Sequence, residues 1–355
     1  MDTLQLLTPI KKRGMQFKNR VFMAPMTRSR AADQIANDLM ANYYAQRASA
    51  GLIITEASQI SPQGVGYIAT PGIHSQAQID GWKKVTQEIH RQHGKVFIQL
   101  WHVGRVSHPD FHNGQLPVAP SAIPFKGQSF TPQGLKDTVT PRAMTSAEIQ
   151  STIQDYKKAA EAAKQAGFDG IEIHAANGYL PHQFLEDGSN HRTDNYGGSI
   201  ENRARFLLEI IDAVIPIWGS EHISVRISPQ NPFNGMSDSD PESTYTHLIQ
   251  QLEQRNIGML HMVDTANLNK GINSLAPIMR QLFSGILLLN AGYDKQSAED
   301  AIKSGIADAI SFGKLFISNP DLPERFAHDA SLTVADSNYF YGGNEKGYSD
   351  YSTLR

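Results

Sequence analysis

The chain has 355 residues, 40% hydrophobic and 19% charged, with a formal net charge of −3; this is an ordinary globular composition, long enough for one large domain or two medium ones. Basic and acidic residues are interspersed, so neither the basic stripe of a nucleic-acid binder nor a polybasic membrane anchor is expected. With no cysteine, the chain can form no disulfide, thiolate-zinc site, cysteine-ligated iron–sulfur cluster or catalytic thiol.

The start, "MDTLQLLTPIKKRGMQF", lacks the continuous apolar core of a signal peptide, and no run approaches about 18 apolar residues. A cytoplasmic protein without a membrane partner is expected. Apolar runs then recur in order: "VFMAP" (21–25), "GLIITEA" (51–57), "KVFIQLW" (95–101) and "GIEIHA" (170–175), followed by "ISVRIS" (223–228), "MLHMVD" (259–264), "GILLLNAG" (285–292) and "AISFG" (309–313). Between them lie helix-like segments at 75–93, 145–166, 200–217, 242–255 and 295–304. In the second of these, Thr145 or Ser146 can cap the start, Glu148 can complete a capping box and Gly167 can end the helix. Eight strands alternating with helices suit a (β/α)₈ barrel, a TIM barrel, better than an open sheet, although a doubly wound α/β fold also fits the periodicity. One stretch breaks the rhythm. Residues 101–144, rich in Pro, Gly and polar residues, are expected to form a long capping loop after the third strand, a lid-like insertion over one end of the barrel.

Side chains alternate along a strand, which puts Glu172 and His174 on one face of their strand and Ile171 and Ile173 on the other. Arg226 likewise opposes Val225 and Ile227. Aliphatic faces would meet the outer helices, leaving the polar residues inside. A buried Arg226 needs a partner, either Glu172 or an electron-rich ligand. Thr27, Ala57, Gln99, His174, Arg226, Gly292 and Gly313 all fall at or just past the C-terminal ends of strands, the rim that carries chemistry in such barrels. Gly292 and the Gly313–Lys314 pair, with a short helix after Asn319–Pro320, form a candidate phosphate site. His102, His108 and His112 are spaced poorly for a metal, and none is expected.

Longer motifs carry a resemblance: "APMTRSRA" (24–31), "ITEASQISPQG" (54–64), "QLWHVGRVSHP" (99–109), "VAPSAI" (118–123), "HAANGYLPHQFLEDGSNHRTDNYGGSIENRARF" (174–206), "VRISP" (225–229), "SFGKLFISNPDLPERF" (311–326) and "YFYGGNEKGYSDY" (339–351). Together they make the chain resemble the Old Yellow Enzyme family of FMN-dependent ene reductases, in the branch that includes the N-ethylmaleimide and morphinone reductases. The resemblance implies one FMN-binding barrel domain over residues 1–355, with noncovalent FMN and with NADPH or NADH as hydride donor. Pro25, Thr27, Ala57, Gln99 and Arg226 would hold the flavin ring, and Gly292, Gly313 and Lys314 its phosphate. His174 and Asn177 would bind the substrate's oxygen and Tyr179 would donate a proton. Thr27, Trp101, Arg142 and Tyr341 would shape the substrate pocket.

Three residues depart from the family pattern. Lys314 stands where Arg is usual and Leu315 where Pro is usual. Pro181, just past Tyr179, replaces a larger aliphatic residue. The implied activity is reduction of the activated C=C bond of α,β-unsaturated carbonyls, maleimides or nitro compounds, by a monomer or homodimer acting on small molecules and not on nucleic acid. Two other readings stay open at this point: a flavin-binding store or sensor without turnover, and a cofactor-free barrel lyase or isomerase acting on a phosphorylated substrate.

Overall fold

In the computed structural model, which describes residues 4–269 and 271–354, the eight apolar runs form one closed parallel barrel. Its strands are β1 (Val21–Met23), β2 (Ile53–Gln59), β3 (Val96–Trp101), β4 (Gly170–Ala175), β5 (Ile223–Ile227), β6 (Met259–Val263), β7 (Ile286–Asn290) and β8 (Ala309–Phe312). Closure pairs β8 with β1 and removes every free edge. The doubly wound alternative is thereby excluded.

Strands this short stay in place because both faces are buried. The outward residues Ile98, Leu100, Ile171, Ile173, Val225, Leu260, Leu287 and Ile310 join the core shared with the surrounding helices. Inside, Phe22, Ile54, Phe97, Met259, Ile286 and Leu288 form a separate apolar floor. The antiparallel hairpin Ile10–Lys12 with Met15–Phe17 closes the N-terminal end over this floor. Polar residues occupy the upper interior: Glu172 lies in register with Ser224 and with Gln99, and His174 with Arg226. This layering directs all the chemistry toward the C-terminal rim.

The expected helices form with small shifts at their ends: Gln76–Arg91, Ser146–Gln165, Ile200–Trp218, Pro241–Gln254 and Lys295–Lys303. Thr145 caps the second through a full capping box with Glu148, and Gly167 follows its end at φ +85°. The helices Asp38–Ala45, Leu180–Leu185 and Ala276–Leu282 carry weaker sequence signals, because each is short. After β8 a turn of helix, Lys314–Ser318, starts directly at Gly313 and precedes the expected one, found at Leu322–Ala327.

Residues 101–144 are not a bare loop. They contain a hairpin, Gln128–Thr131 with Gly134–Asp137, and a two-residue strand Val118–Ala119 beside Arg142–Ala143. Phe130 of the hairpin reaches the rim of the central cavity. No helix among the described residues is long and apolar enough to cross a membrane.

The C-terminal segment returns across the same end of the barrel as a strap. Buried Arg28 donates to the carbonyls of Tyr339, Phe340 and Gly347, and buried Arg47 to those of Phe316, Ile317 and Tyr348. Tyr348 stacks on Tyr43 at 3.9 Å between ring centroids, with the Arg30 guanidinium 4.3 Å above the Tyr348 ring. Each arginine therefore has acceptors and an aromatic face, which offsets its desolvation.

Candidate active site

A cavity of about 920 Å³ opens at the C-terminal rim. It is lined by the segment Ala24–Thr27 after β1, by Arg226, Asn290, Gly313 and Lys314, and by the aromatic residues Tyr67, Phe130, Tyr179, Phe233 and Tyr341. Cationic and hydrogen-bonding groups combined with aromatic faces suit a flat, polar-edged ring system.

Arg226 is 7% exposed, and among the described residues its guanidinium has one partner, Asn290 Oδ1 at 3.0 Å. Its Nε is buried with no partner among the described residues. The direct pair with Glu172 does not form. That carboxylate already accepts from Gln99 Nε2 and Ser224 Oγ, both at 2.8 Å, and from His261 Nδ1 at 2.9 Å. Arg226 is thus a cation short of acceptors on the cavity wall. Gln99 shows the complementary gap: among the described residues no group donates to its Oε1. Both vacancies fit the pyrimidine edge of a flavin, which offers carbonyl oxygens and an N–H.

At the end of β4 the chain turns sharply through Asn177, held at φ +57°, a conformation Asn tolerates better than most residues. The Asn177 N–H donates to Ser228 Oγ, and its Oδ1 accepts from Asn231 Nδ2 at 3.0 Å. The amide is therefore oriented with its NH₂ as the free half. His182 accepts the Gly178 N–H at Nδ1, while its Nε2 meets Glu186 at 2.8 Å. This fixes the turn that presents Tyr179. Pro181 sits in the first turn of Leu180–Leu185, where proline costs no helical hydrogen bond. Pro181 is buried in this helix and does not line the cavity.

Tyr179 packs edge-on to His174, ring centroids 4.9 Å apart, and to Trp101, 5.0 Å apart. Its hydroxyl lies 3.1 Å from that of Tyr67, which stacks on Trp101. Burial, then the neighbouring Tyr67 and Tyr341, push the Tyr179 phenol well above its ordinary value, so it stays protonated. Burial, then the positive Arg226, hold His174 well below the usual imidazole range. His174 is a neutral hydrogen-bonding group here and not an acid.

Of the expected site residues, Pro25, Thr27, Tyr179, Arg226, Gly313, Lys314 and Tyr341 line the one cavity. Gln99 and His174 lie buried just inside the rim, and Ala57 and Trp101 pack with Tyr179 beside it. Gly292, at φ +73°, turns the chain after β7 next to Asn267 and Leu268. Arg142 is elsewhere. Its guanidinium grips Glu148 (Nη1 to Oε2, 2.9 Å) at the start of the helix Ser146–Gln165, so it joins the capping box and leaves the substrate pocket. Arg142→Met is accordingly expected to lower the melting temperature while the KM for an enone stays put; a raised KM would return Arg142 to the pocket.

Tyr67, Asn290 and Phe233 escaped sequence reasoning. Asn290 closes its strand and was readable as a rim residue. Tyr67 and Phe233 sit in loops with no periodic signal.

A parallel barrel whose strand ends converge on a cavity with an acceptor-poor arginine and a protonated tyrosine defines a rim-sited (β/α)₈ enzyme. The chain belongs to the NADH:flavin oxidoreductase / NADH oxidase family, whose FMN-oxidoreductase model matches residues 5–332. It is 41% identical over 362 residues to 12-oxophytodienoate reductase 1 of Oryza sativa subsp. japonica, covering 99% of this chain and 93% of that one. It is 41% identical over 355 residues to a probable flavin mononucleotide-dependent alkene reductase of Leishmania infantum, covering 98% and 96%. Among solved structures, morphinone reductase in complex with tetrahydroNAD superposes with a TM-score of 0.95 at 46% identity, covering 99% of this chain and 98% of that one. The old yellow enzyme homologue from Zymomonas mobilis gives 0.95 at 44%, covering 99% and 100%. The Old Yellow Enzyme resemblance therefore holds. The protein is a flavin oxidoreductase using FMN and NAD(P)H, which sets aside both the cofactor-free lyase and the store without turnover.

Proposed function

We propose that this flavoenzyme reduces the activated C=C bond of α,β-unsaturated carbonyls, maleimides or nitro compounds, with NAD(P)H and the substrate using the cavity in turn. The observation that supports the reading is that Tyr179, packed edge-on to His174, lines the same cavity as Arg226, with Asn177 in the turn between His174 and Tyr179. When bound, FMN supplies the hydride it has taken from NAD(P)H. Pro25, Thr27, Ala57, Gln99 and Arg226 would hold its ring, and Gly292, Gly313 and Lys314 its phosphate. Lysine at 314 keeps the charge but lacks arginine's bidentate fork.

The remaining steps belong to side chains. As hydride reaches the β-carbon, negative charge grows on the substrate oxygen. Neutral His174 and the NH₂ of Asn177 would donate to it. Tyr179, protonated in its buried site, then gives its proton to the α-carbon. Trp101, Tyr67 and Tyr341 confine the substrate and exclude water from the α-carbon.

Steady-state rates with varied NADPH and 2-cyclohexenone should give the parallel double-reciprocal lines of a ping-pong cycle, since one cavity serves both. His174→Ala and Asn177→Ala are each expected to cost about 2.7–4 kcal/mol in the enone half-reaction and to weaken binding of p-hydroxybenzaldehyde, a phenolic probe of the oxygen site. Intersecting lines, or phenol binding untouched in both variants, would remove the assignment.

A further inference from the structure

One buried group of titratable residues plays no part in the steps proposed above. In the barrel interior, between the apolar floor and the cavity, Glu172 is 0% exposed, as are His261 and Ser224, with Gln99 at 1% and Ser311 at 2%. A carboxylate over a floor of Phe22, Phe97, Met259 and Leu288 is costly, and well-packed apolar residues would often serve stability as well or better. Every hydrogen bond in the group points the same way. Burial alone would push the Glu172 carboxyl up, but His261, Arg226 and Ser224 outweigh it and hold it below the ordinary value, so it is ionised and only accepts. His261 must then carry its proton on Nδ1, facing Glu172 at 2.9 Å. Burial pulls the His261 pKa down, leaving the imidazole neutral with a lone pair on Nε2, and Ser311 Oγ, 2.8 Å away, supplies the matching proton.

The same logic reaches Gln99. Its Nε2 donates to Glu172 Oε1 at 2.8 Å, which fixes the amide and leaves Oε1 as an acceptor that no group among the described residues meets. Without an acceptor at Glu172 the amide could flip and present N–H groups instead. Glu172 is also the anion of the layer directly beneath Arg226: it pairs in register with Ser224, two residues before Arg226 on β5.

We infer that Glu172, held by His261, Ser224 and Ser311, is a positioning residue for the flavin. It sets Gln99 as an acceptor for the N–H of the pyrimidine edge, and its charge moderates Arg226 and so lowers the midpoint potential of bound FMN. The inference rests on the reading that FMN lies on the Gln99–Arg226 wall.

The test is the midpoint potential of FMN in the holoenzyme, measured by anaerobic dye equilibration, for wild type, Glu172→Gln and Ser224→Ala. Glu172→Gln removes the charge and is expected to shift the potential upward, with FMN dissociating more readily as Gln99 loses its fixed polarity. Ser224→Ala keeps the charge and removes one of its donors, so its potential should stay at or below wild type. A purely structural role would move both variants the same way. An unmoved potential in Glu172→Gln overturns the inference. If that variant does not fold, a Ser224→Ala potential above wild type overturns it, and one at or below wild type upholds it. Wild-type protein that takes up no FMN would instead defeat the underlying reading.

Discussion

Replacing Tyr179 by phenylalanine is expected to slow the enone half of the cycle by about 10²–10⁴-fold, the usual range for a positioned general acid, while flavin reduction by NAD(P)H proceeds as before. Phenylalanine keeps the edge-on contacts with His174 and Trp101, so the cavity wall survives and only the hydroxyl is lost. That hydroxyl is the group whose pKa burial raises well above 10. Wild-type enone reduction should therefore show no alkaline fall below pH 10, and no imidazole step from His174, whose pKa lies well below 6.5. Once the proton has left, Tyr67 at 3.1 Å can donate to the remaining oxygen. Stopped-flow measurement of the two half-reactions separates the cases. Equal losses in both would mean a damaged pocket rather than a missing proton.

The largest expected loss of stability is at Arg28. Truncation to alanine deprives the carbonyls of Tyr339, Phe340 and Gly347 of their donor and removes the cation facing the rings of Tyr43 and Tyr348. Each carbonyl left unpaired away from water costs about 1–3 kcal/mol. The three together should cost roughly 3–5 kcal/mol, after some regain bonds to water. The strap they hold carries Tyr341 at the cavity mouth, so the enone KM should rise as well. Chemical denaturation reads the first effect and steady-state kinetics the second. An unchanged unfolding midpoint would show that Arg30 and Arg47 anchor the strap without Arg28.

Much of this architecture is legible in the sequence because parallel strands buried on both faces leave short apolar runs. "ISVRIS" and "GIEIHA" further reveal which side chains point inward, since Arg226 and Glu172 interrupt aliphatic neighbours. What such a reading cannot supply is who meets whom across strands. Arg226 and Glu172 look like partners, yet inside the barrel Glu172 bonds to Gln99, Ser224 and His261, and Arg226 is left to Asn290. Arg142 looks like a pocket residue until the turn before its helix puts Glu148 within its reach. Tyr67 reaches Tyr179 across 112 positions of sequence, and Arg28 reaches the strap across more than 300. Neither contact leaves a local pattern. The residues best read from sequence are those whose position along a strand decides their place.

Transfer of hydride from FMN in the rim cavity to an activated alkene is tested most directly by an anaerobic visible spectrum of the purified protein, recorded alone, after one equivalent of NADPH, and after 2-cyclohexenone. The expected result is a flavin band that bleaches with NADPH and returns with the enone. A band that bleaches but does not return with the enone, with maleimide or with a nitroalkene would contradict such transfer.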